Sequence, residues 1–236
     1  MDVDRITVAD TFGMSHPLSM FKFIRRMREW TGKPIGLHIH NDFGLATANS
    51  VMGISADADL VHTSVNGIGE RTGNVATEEV ALAVQHLFDI DCGIDLSKLA
   101  NISEIDSEIS KVERARNKPV GGSGIFEVES GIIVHVIESL SMTEVGRYGM
   151  HPYKPAITGR ADLNIVAGRD TGHHSTKRFL EQRGIQTDEA TMARIMERIK
   201  QAALVLKSAL PKSFLDEILA EEIGRTEKVT EAAAAR

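Results

Sequence analysis

The sequence predicts an α/β protein built from parallel βαβ units, and two observations lead to this fold class. Three short runs of apolar and branched residues alternate with three longer segments whose apolar residues recur every three or four positions. The connections between them are short, and strands that alternate with helices in this way form a parallel sheet. The predicted strands and the helices that follow them are 5–11 and 17–31, 34–40 and 44–55, and 59–65 and 75–88.

The first βα unit illustrates the pattern. RITVADT alternates branched and small residues, so Ile6 and Val8 lie on one face of the strand, and Thr7, Ala9 and Thr11 on the other. The following helix opens with proline near its first position, where a missing N–H costs nothing. Its apolar residues then fall at helical spacing in LSMFKFIRRMREW.

The composition changes near residue 91, where the βα pattern ends. ISEIDSEISKVERARN, residues 102–117, is charged and helical in pattern, and a glycine-rich loop follows at 117–124. Residues 125–137 are apolar and β-branched, which favours an extended segment. From about residue 175 the pattern is helical. We therefore divide the chain into three regions, 1–92, 93–174 and 175–236.

Composition excludes several classes of function. The formal net charge is −6, and no basic stripe is interleaved with aromatic residues, so a nucleic-acid partner is not expected. No apolar run reaches 18 residues, and the N-terminus lacks the apolar core of a secretory signal. Cys92 is the single cysteine, which excludes an internal disulfide and fits a reducing compartment. We expect a cytoplasmic protein without a membrane partner.

The stretch GLHIHND, residues 36–42, suggests a metal site. His38 and His40 are two positions apart, so they share one face at the carboxyl end of the second strand, where parallel α/β sheets place their chemistry. Two imidazoles at this spacing can chelate a divalent metal, and the adjacent Asn-Asp pair strengthens that interpretation. The alternative is that both histidines are ordinary polar residues at a strand end.

A further ligand would have to come from elsewhere, and the loop NGIGERTGN after the third strand offers Asn74. Asn74 is equally well placed to cap a helix beginning at Val75. The glycines of this loop, Gly67, Gly69 and Gly73, do not match the dinucleotide fingerprint, because the last interval is one residue too long.

HIHNDFGLATANS followed by SVNGIGERTGNVATEEV resembles the second half of the metal-dependent Claisen-condensing enzymes. These are the isopropylmalate, homocitrate and citramalate synthases, with hydroxymethylglutaryl-CoA lyase as a cousin. VADTFG resembles the strand before this motif. ESGI, HPYKP and GRDTGHHSTKRFLEQRGI resemble the linker subdomains that follow the barrel in the synthases, so the resemblance extends to about residue 205.

The resemblance implies the last three βα units of a (β/α)₈ barrel, followed by a linker region and a helical C-terminal subdomain. It implies a divalent metal (Zn, Mn, Mg or Co) that polarises an α-keto acid, and acetyl-CoA as co-substrate. The residues that match the family's site are expected to bind metal (His38, His40 and Asn74), to bind substrate (Thr11, Asn66 and Arg71) and to act in catalysis (His135, Tyr153 and Glu70), while Gly67 to Gly73 shape the adjacent loop.

The chain departs from the family in its first strands. The family's opening strand carries an Asp-Arg-Glu motif that gives the metal an Asp and the keto acid an Arg, and no such motif occurs here. Three strands cannot close a barrel, and their outer edges would be left unpaired. We expect a split enzyme whose partner subunit supplies strands one to five and this motif, so that the pair is a hetero-oligomer. A truncated product is the alternative.

A second departure lies in ESGIIVHVI. The synthases usually read E-[SA]-G-I-H, and Ile133 stands where that histidine assists proton abstraction. If residues 132–137 are extended, His135 lies on the same side as Ile133, about 7 Å along, and could take over the role with Tyr153 orienting it.

Three functions remain open at this stage. The leading one is an acyltransferase subunit that condenses acetyl-CoA with an α-keto acid and is active only with a partner chain. The second is a metal-dependent C–C lyase or aldolase of the hydroxymethylglutaryl-CoA lyase type. The third is a non-catalytic partner that stabilises a synthase.

Overall fold

A computed structural model describes residues 2–234 of the chain, with side chains described through residue 226. Its residues fall into two units. The first holds the residues up to Ile125 together with Pro155–Ala161, and the second holds Phe126–Lys154 and the residues from Asp162 onward. The three regions expected from composition, 1–92, 93–174 and 175–236, do not coincide with these units. The charged helix after residue 92 is grouped with the βα units, and the segments around 126 and 175 are grouped together.

The first unit is built on a three-stranded parallel sheet in the order β1-β2-β3. The strands are Ile6–Asp10 (β1), Ile35–Ile39 (β2) and Leu60–His62 (β3). Helices α1 (Pro17–Thr31), α2 (Ala46–Ser55) and α3 (Thr77–Phe88) follow them in turn. The predicted α/β class and the three βα units are confirmed.

Helix α1 has the ends that its sequence encodes. His16 precedes it and accepts a hydrogen bond from the Ser19 backbone N–H, while the Ser19 hydroxyl accepts one from the His16 N–H. Pro17 occupies the first helical position, and Gly32 ends the helix in a left-handed conformation with φ of 59°. A glycine suits that position because it has no Cβ to clash.

The core of the first unit lies between β2 and its covering helices. Ile35, Leu37 and Ile39 are fully buried on one face of β2. Gly53 in α2 allows the close approach, because a Cβ there would stand 2.3 Å from the Leu37 Cδ1 atom. The remaining buried members of this core are Met20, Ile24, Ala46, Ala56, Val75, Val80 and Val84.

The charged segment after the sheet is shorter than predicted. Helix α4 spans Leu99–Ser110 rather than 102–117, and it ends where Lys111 adopts a left-handed conformation. The loop beyond it returns to α3, where the Lys118 ammonium lies 2.6 Å from a Glu79 carboxylate oxygen and 3.4 Å from the buried Glu78. Burial raises the pKa of Glu78.

The second unit has a small parallel pair of strands, β4 (Glu127–Val128) and β5 (Asn164–Ile165). Its helices are α5 (Gly131–Leu140), α6 (His173–Glu181), α7 (Glu189–Leu206) and α8 (Lys212–Ala234). The helical interpretation from residue 175 is confirmed. Its core combines one face of α7 with α6 and α8, centred on Ile195, Ile199, Ile218 and Leu219.

The extended conformation predicted over 125–137 is wrong for most of that segment. Only Glu127–Val128 are in a strand, and the helix α5 begins at Gly131. The β-branched content favoured a strand, but the buried residues Gly131, Val134 and Ile137 recur at three-residue spacing, which is the period of a helix face. Among the described residues, no helix is long and apolar enough to cross a membrane.

Candidate active site

The carboxyl ends of the three parallel strands bring together the histidines of the first unit. His38 lies in β2 with its side chain opposite Leu37 and Ile39, and His40 follows the strand directly. Their ring centroids are 5.2 Å apart. His62, the last residue of β3, pairs in register with His38, and these two ring centroids are 5.6 Å apart. Three imidazoles therefore meet at one edge of the sheet.

Asn74 lies beside this group through the backbone. His40 and Asn74 form an isolated antiparallel bridge. On either side of it, the Asn41 N–H donates to the Gly73 carbonyl at 3.0 Å and the Val75 N–H donates to the Ile39 carbonyl at 3.3 Å. Helix α3 begins only at Thr77. The interpretation of Asn74 as the cap of a helix starting at Val75 is therefore wrong.

Glycine makes the tight return of this loop possible. Gly73 has φ of 85°, and a Cβ on it would stand 1.9 Å from the Gly67 carbonyl oxygen. That same carbonyl accepts a hydrogen bond from the Asn74 N–H at 3.0 Å. A side chain at position 73 would push these backbones apart and move Asn74 away from His40.

Two buried polar atoms at this edge lack hydrogen-bond partners among the described residues: His40 Nδ1 and Asn74 Oδ1. An imidazole nitrogen and an amide oxygen are both metal donors. Burial, together with the neighbouring His40 and His62, lowers the pKa of His38, which favours the neutral imidazole that metals bind. The donors present fit a divalent metal, although the described residues contain no group of three His, Cys, Asp or Glu placed to hold one.

Arg71 connects the three loops at this edge. Its Nε and Nη2 donate to the two carboxylate oxygens of Asp42 at 2.9 and 3.1 Å, and Nη2 also donates to the Thr11 carbonyl. The guanidinium lies over the Phe12 ring, 5.6 Å from its centroid. The Arg71 guanidinium also holds the pKa of Asp42 below its usual value. The side chain predicted to bind substrate is thus engaged with the loops that follow β1 and β2.

The other substrate and loop candidates occupy different surroundings. Asn66, with φ of 56°, directs its amide to α4, where it donates to the Ser103 carbonyl at 2.9 Å and to Asp106 at 2.7 Å. Thr11 is exposed just beyond β1, and Glu70 is exposed at the tip of the loop before Gly73. The structure therefore brings Thr11 and Arg71 together but commits the Asn66 side chain to helix packing.

His135 and Tyr153 belong to the second unit. His135 is exposed on α5 and stacks on His174, with ring centroids 4.4 Å apart. Because α5 is a helix, Ile133 and His135 lie about 200° apart around its axis rather than on one side. The expectation that His135 lies on the same side as Ile133, and can therefore take over the role expected at position 133, is wrong. Tyr153 packs edge-on against Phe126 at 5.6 Å. The catalytic role of both residues stays a prediction.

Sequence reasoning missed His62 and the use of Asp42. His62 ends a strand predicted to continue to residue 65, so its place at the carboxyl end was not visible. The sequence places Asp42 beside the histidines, whereas its carboxylate accepts hydrogen bonds from Arg71, 29 residues away.

Comparison with known proteins shows which proteins this chain resembles. Residues 1–105 match the HMGL-like family. The chain is 39% identical over 197 residues to homocitrate synthase AksA of Methanopyrus kandleri, covering 84% of this chain and 48% of that protein. It is 37% identical over 201 residues to 2-isopropylmalate synthase of Sulfolobus acidocaldarius, covering 85% and 50%. The chain spans about half the length of these relatives, and its resemblance to the Claisen-condensing family is confirmed.

Proposed function

We propose that this chain, a relative of the Claisen-condensing synthases with an HMGL-like segment at residues 1–105, supplies the metal-binding part of an active site that joins acetyl-CoA to an α-keto acid. One observation carries the proposal. His38, His40 and Asn74 converge at the carboxyl edge of the sheet, and two of their donor atoms are buried with no hydrogen-bond partner in the described part of the chain. Such atoms carry a desolvation cost that a bound ligand removes.

In this proposal His38, His40 and Asn74 hold a divalent metal, Zn, Mn, Mg or Co. When bound, the metal supplies Lewis-acid polarisation of the keto group. The protein's own contribution is to fix the donors: the β2 pleat sets the spacing of the two imidazoles, and the backbone bridge holds Asn74 beside His40. Asn41 and Gly73 reinforce this bridge through the 3.0 Å backbone hydrogen bond between them.

Arg71 acts in this proposal as a positioning residue. Its fork to Asp42 and its contact with the Thr11 carbonyl fix the loop carrying Asn74 against the loops after β1 and β2. Thr11, which is exposed beside this loop, would line the keto-acid pocket. Bidentate arginine–carboxylate pairs suit this task because they fix direction as well as distance.

The remaining ligands and barrel strands come, in this proposal, from another polypeptide segment. The sheet has three strands, and β1 pairs only with β2 among the described residues. A segment carrying the family's Asp-Arg-Glu motif would supply the carboxylate ligand and complete the barrel. We favour a partner subunit and therefore a hetero-oligomer. A longer version of this chain would supply the same strands.

His135, Tyr153 and Glu70 stay the catalytic candidates in this proposal, with His135 as the candidate general base. His135 carries an imidazole, the side-chain group that most often serves as a general base in enzymes. If His135 is the base, His135→Ala in the assembled enzyme lowers turnover by at least about a hundredfold and leaves metal content unchanged. A loss below about threefold would move the base to another residue.

The relatives named as homocitrate and isopropylmalate synthases favour condensation over C–C cleavage. The deciding experiment measures thiol release from acetyl-CoA with a panel of α-keto acids. It uses the chain co-expressed with a polypeptide that carries the Asp-Arg-Glu motif. We expect keto-acid-dependent thiol release that His38→Ala abolishes and His173→Ala, an exposed histidine of the second unit, preserves.

Two other results would redirect the proposal. Cleavage of hydroxymethylglutaryl-CoA without thiol release from acetyl-CoA would assign a lyase. Full activity of the assembly with His38→Ala would assign this chain a non-catalytic, stabilising role.

A further inference from the structure

A cavity of about 320 Å³ lies within the second unit, bounded by β5, by α6 and by the first turn of α8. Four of the residues that line it are cationic: Arg147, Arg178, Arg183 and Lys212. None of its described lining residues is acidic. The rest of the wall is partly apolar and includes the buried Leu163, Phe179 and Leu215. Positive charge and apolar surface therefore face the same space.

The three arginines are held in place by carboxylates that do not line the cavity. The Arg147 Nη1 atom lies 2.9 Å from a carboxylate oxygen of Asp162. The Arg178 Nη1 atom lies 2.7 Å from a carboxylate oxygen of Glu138. Arg183 donates from Nε to a third carboxylate, Asp216, at 2.6 Å. Each pair uses part of a guanidinium and leaves further N–H groups for another acceptor. The arginines are thus oriented in advance.

Two N–H donors of these arginines are unsatisfied in the described part of the chain. The Nε atoms of Arg147 and Arg178 are buried and have no hydrogen-bond partner among the described residues. A buried donor without a partner is costly, and anionic oxygens are the acceptors that guanidinium groups bind most strongly.

The start of α8 adds to the positive potential. Lys212 opens the helix, and no carboxylate lies within ion-pair distance of it among the described residues. The first turn of α8 contains no acidic residue, and the first N–H groups of a helix carry partial positive charge. Four cations thus accompany three paired carboxylates, so one positive charge is in excess.

We propose that this cavity binds the phosphate group of a small organic phosphate. A phosphate presents three oxygens and up to two negative charges to a cluster of guanidinium and ammonium donors. The cavity corresponds to about ten water volumes at roughly 30 Å³ each, which exceeds what a phosphate ion fills. The apolar wall at Leu163, Phe179 and Leu215 receives the organic part. This site is independent of the function proposed for the first unit.

Calorimetric titration of the full chain with phenyl phosphate and with inorganic phosphate, at constant ionic strength, tests the proposal. We expect saturable binding of one phenyl phosphate per chain, at least about tenfold tighter than inorganic phosphate, because the ring buries apolar surface. Equal affinity for the two would refute the organic part of the ligand. An absence of saturable binding by both would overturn the site.

Charge-removing variants locate the binding. Arg178→Gln and Lys212→Gln should each weaken phenyl phosphate binding by about tenfold or more. The matched control is Lys177→Gln, which removes an exposed charge from the same helix as Arg178 but outside the cavity, and it should change affinity less than twofold. If Arg178→Gln impairs folding, the test rests on Lys212→Gln, because the Lys212 side chain is exposed and its replacement does not disturb the core. Equal weakening by Lys177→Gln would show non-specific attraction and overturn the proposal.

Discussion

At the scale of single residues, the Arg71 side chain connects loops of the candidate site. It donates two hydrogen bonds to Asp42 and one to the Thr11 carbonyl. The Arg71 backbone is in the left-handed region, with φ of 58°. Removing the Arg71 side chain would free the loop around Asn74 without touching the imidazoles. A variant at Arg71 therefore tests how the metal donors are positioned without removing a donor.

We expect Arg71→Ala to speed amide hydrogen exchange in residues 40–45 and 66–76 by about two- to fivefold, the range typical of losing one ion pair near the surface. Asp42→Ala should give a similar change, and the double variant should exchange no faster than either single one, because all three lose the same contact. Hydrogen exchange with mass spectrometry measures this.

Arg25→Ala provides the control. It removes an exposed arginine of α1 that pairs with Asp57, which follows α2. It should leave exchange in both segments unchanged. Additive acceleration in the Arg71 and Asp42 double variant would show that the two residues act separately, contrary to the loop-connecting role.

The residue scale also shows which parts of the site the sequence could predict. The pair His38 and His40 was predictable because a strand alternates side chains over two positions, and that period needs no tertiary knowledge. His62 and the Asp42–Arg71 contact were not predictable, because each depends on register or on a contact between distant loops. The motif predicts that Asn66 binds substrate, whereas its amide donates to the Ser103 carbonyl in α4, 37 residues away.

At the scale of elements, the connection from α1 to β3 depends on one carboxylate. Asp59 stands just before β3 and accepts a hydrogen bond from the Ile35 N–H at the start of β2, at 2.8 Å. It also accepts from Arg28 in α1. The Ile35 N–H, followed by Arg28, lowers the pKa of Asp59. Its charged form therefore stabilises the folded unit.

Because the pKa of Asp59 is lower in the folded state, its contribution is present above its unfolded pKa, near 3.9, and is lost as pH falls through the folded value. Asp59→Asn should reduce the free energy of unfolding by about 1 kcal/mol at pH 7, a modest figure because solvent screens a side chain that is 38% exposed. The difference from the parent should shrink below about pH 4.

Urea unfolding at pH 7 and at pH 3.5 measures this, with Asp57→Asn as the control. Asp57 lies in the same turn and pairs with Arg25, but both side chains are more than half exposed, so its loss should cost less than about 0.5 kcal/mol. A cost for Asp59→Asn that is the same at both pH values would contradict the ionic origin.

The elements also mark where sequence patterns fail. The three βα units were predictable because long amphipathic helices and short apolar strands have distinct periods. Helix α5 was not, because GIIVHVIESL satisfies a strand by composition and a helix by period. The segment is helical because a helix lets Val134 and Ile137 share one buried face. This difference affects the candidate site, because the prediction that His135 takes over the role expected at position 133 depended on an extended segment.

At the scale of the whole molecule, the outer edge of β1 has no neighbouring strand among the described residues. Ile6 and Asp10 bond on the β2 side, through the Ile6 N–H to Pro34 and the Asp10 carbonyl to His40. The alternate residue Thr7 therefore directs its N–H and carbonyl to the outer side. Such an edge is a template for another strand. We expect the chain to self-associate at micromolar concentration, or to bind a partner that supplies the missing strands.

Thr7→Pro tests the edge, because proline removes the outward N–H and leaves the bonds to β2 in place. We expect it to lower the association constant by at least about tenfold in sedimentation velocity, while Thr7→Ala changes it little. A parent chain that sediments as a single monomer, with one sharp unfolding transition, would contradict the association account.

The metal site is the central claim, and a calorimetric titration of Zn²⁺ or Mn²⁺ into the full chain tests it most directly. We expect one equivalent of metal, bound weakly because the carboxylate ligand is assigned to another segment. His38→Ala and His40→Ala should each weaken binding by at least about tenfold, and Asn74→Ala by less. His173→Ala should leave binding unchanged. Equal affinity of the parent, His38→Ala and His40→Ala would contradict the metal site and the proposed function with it.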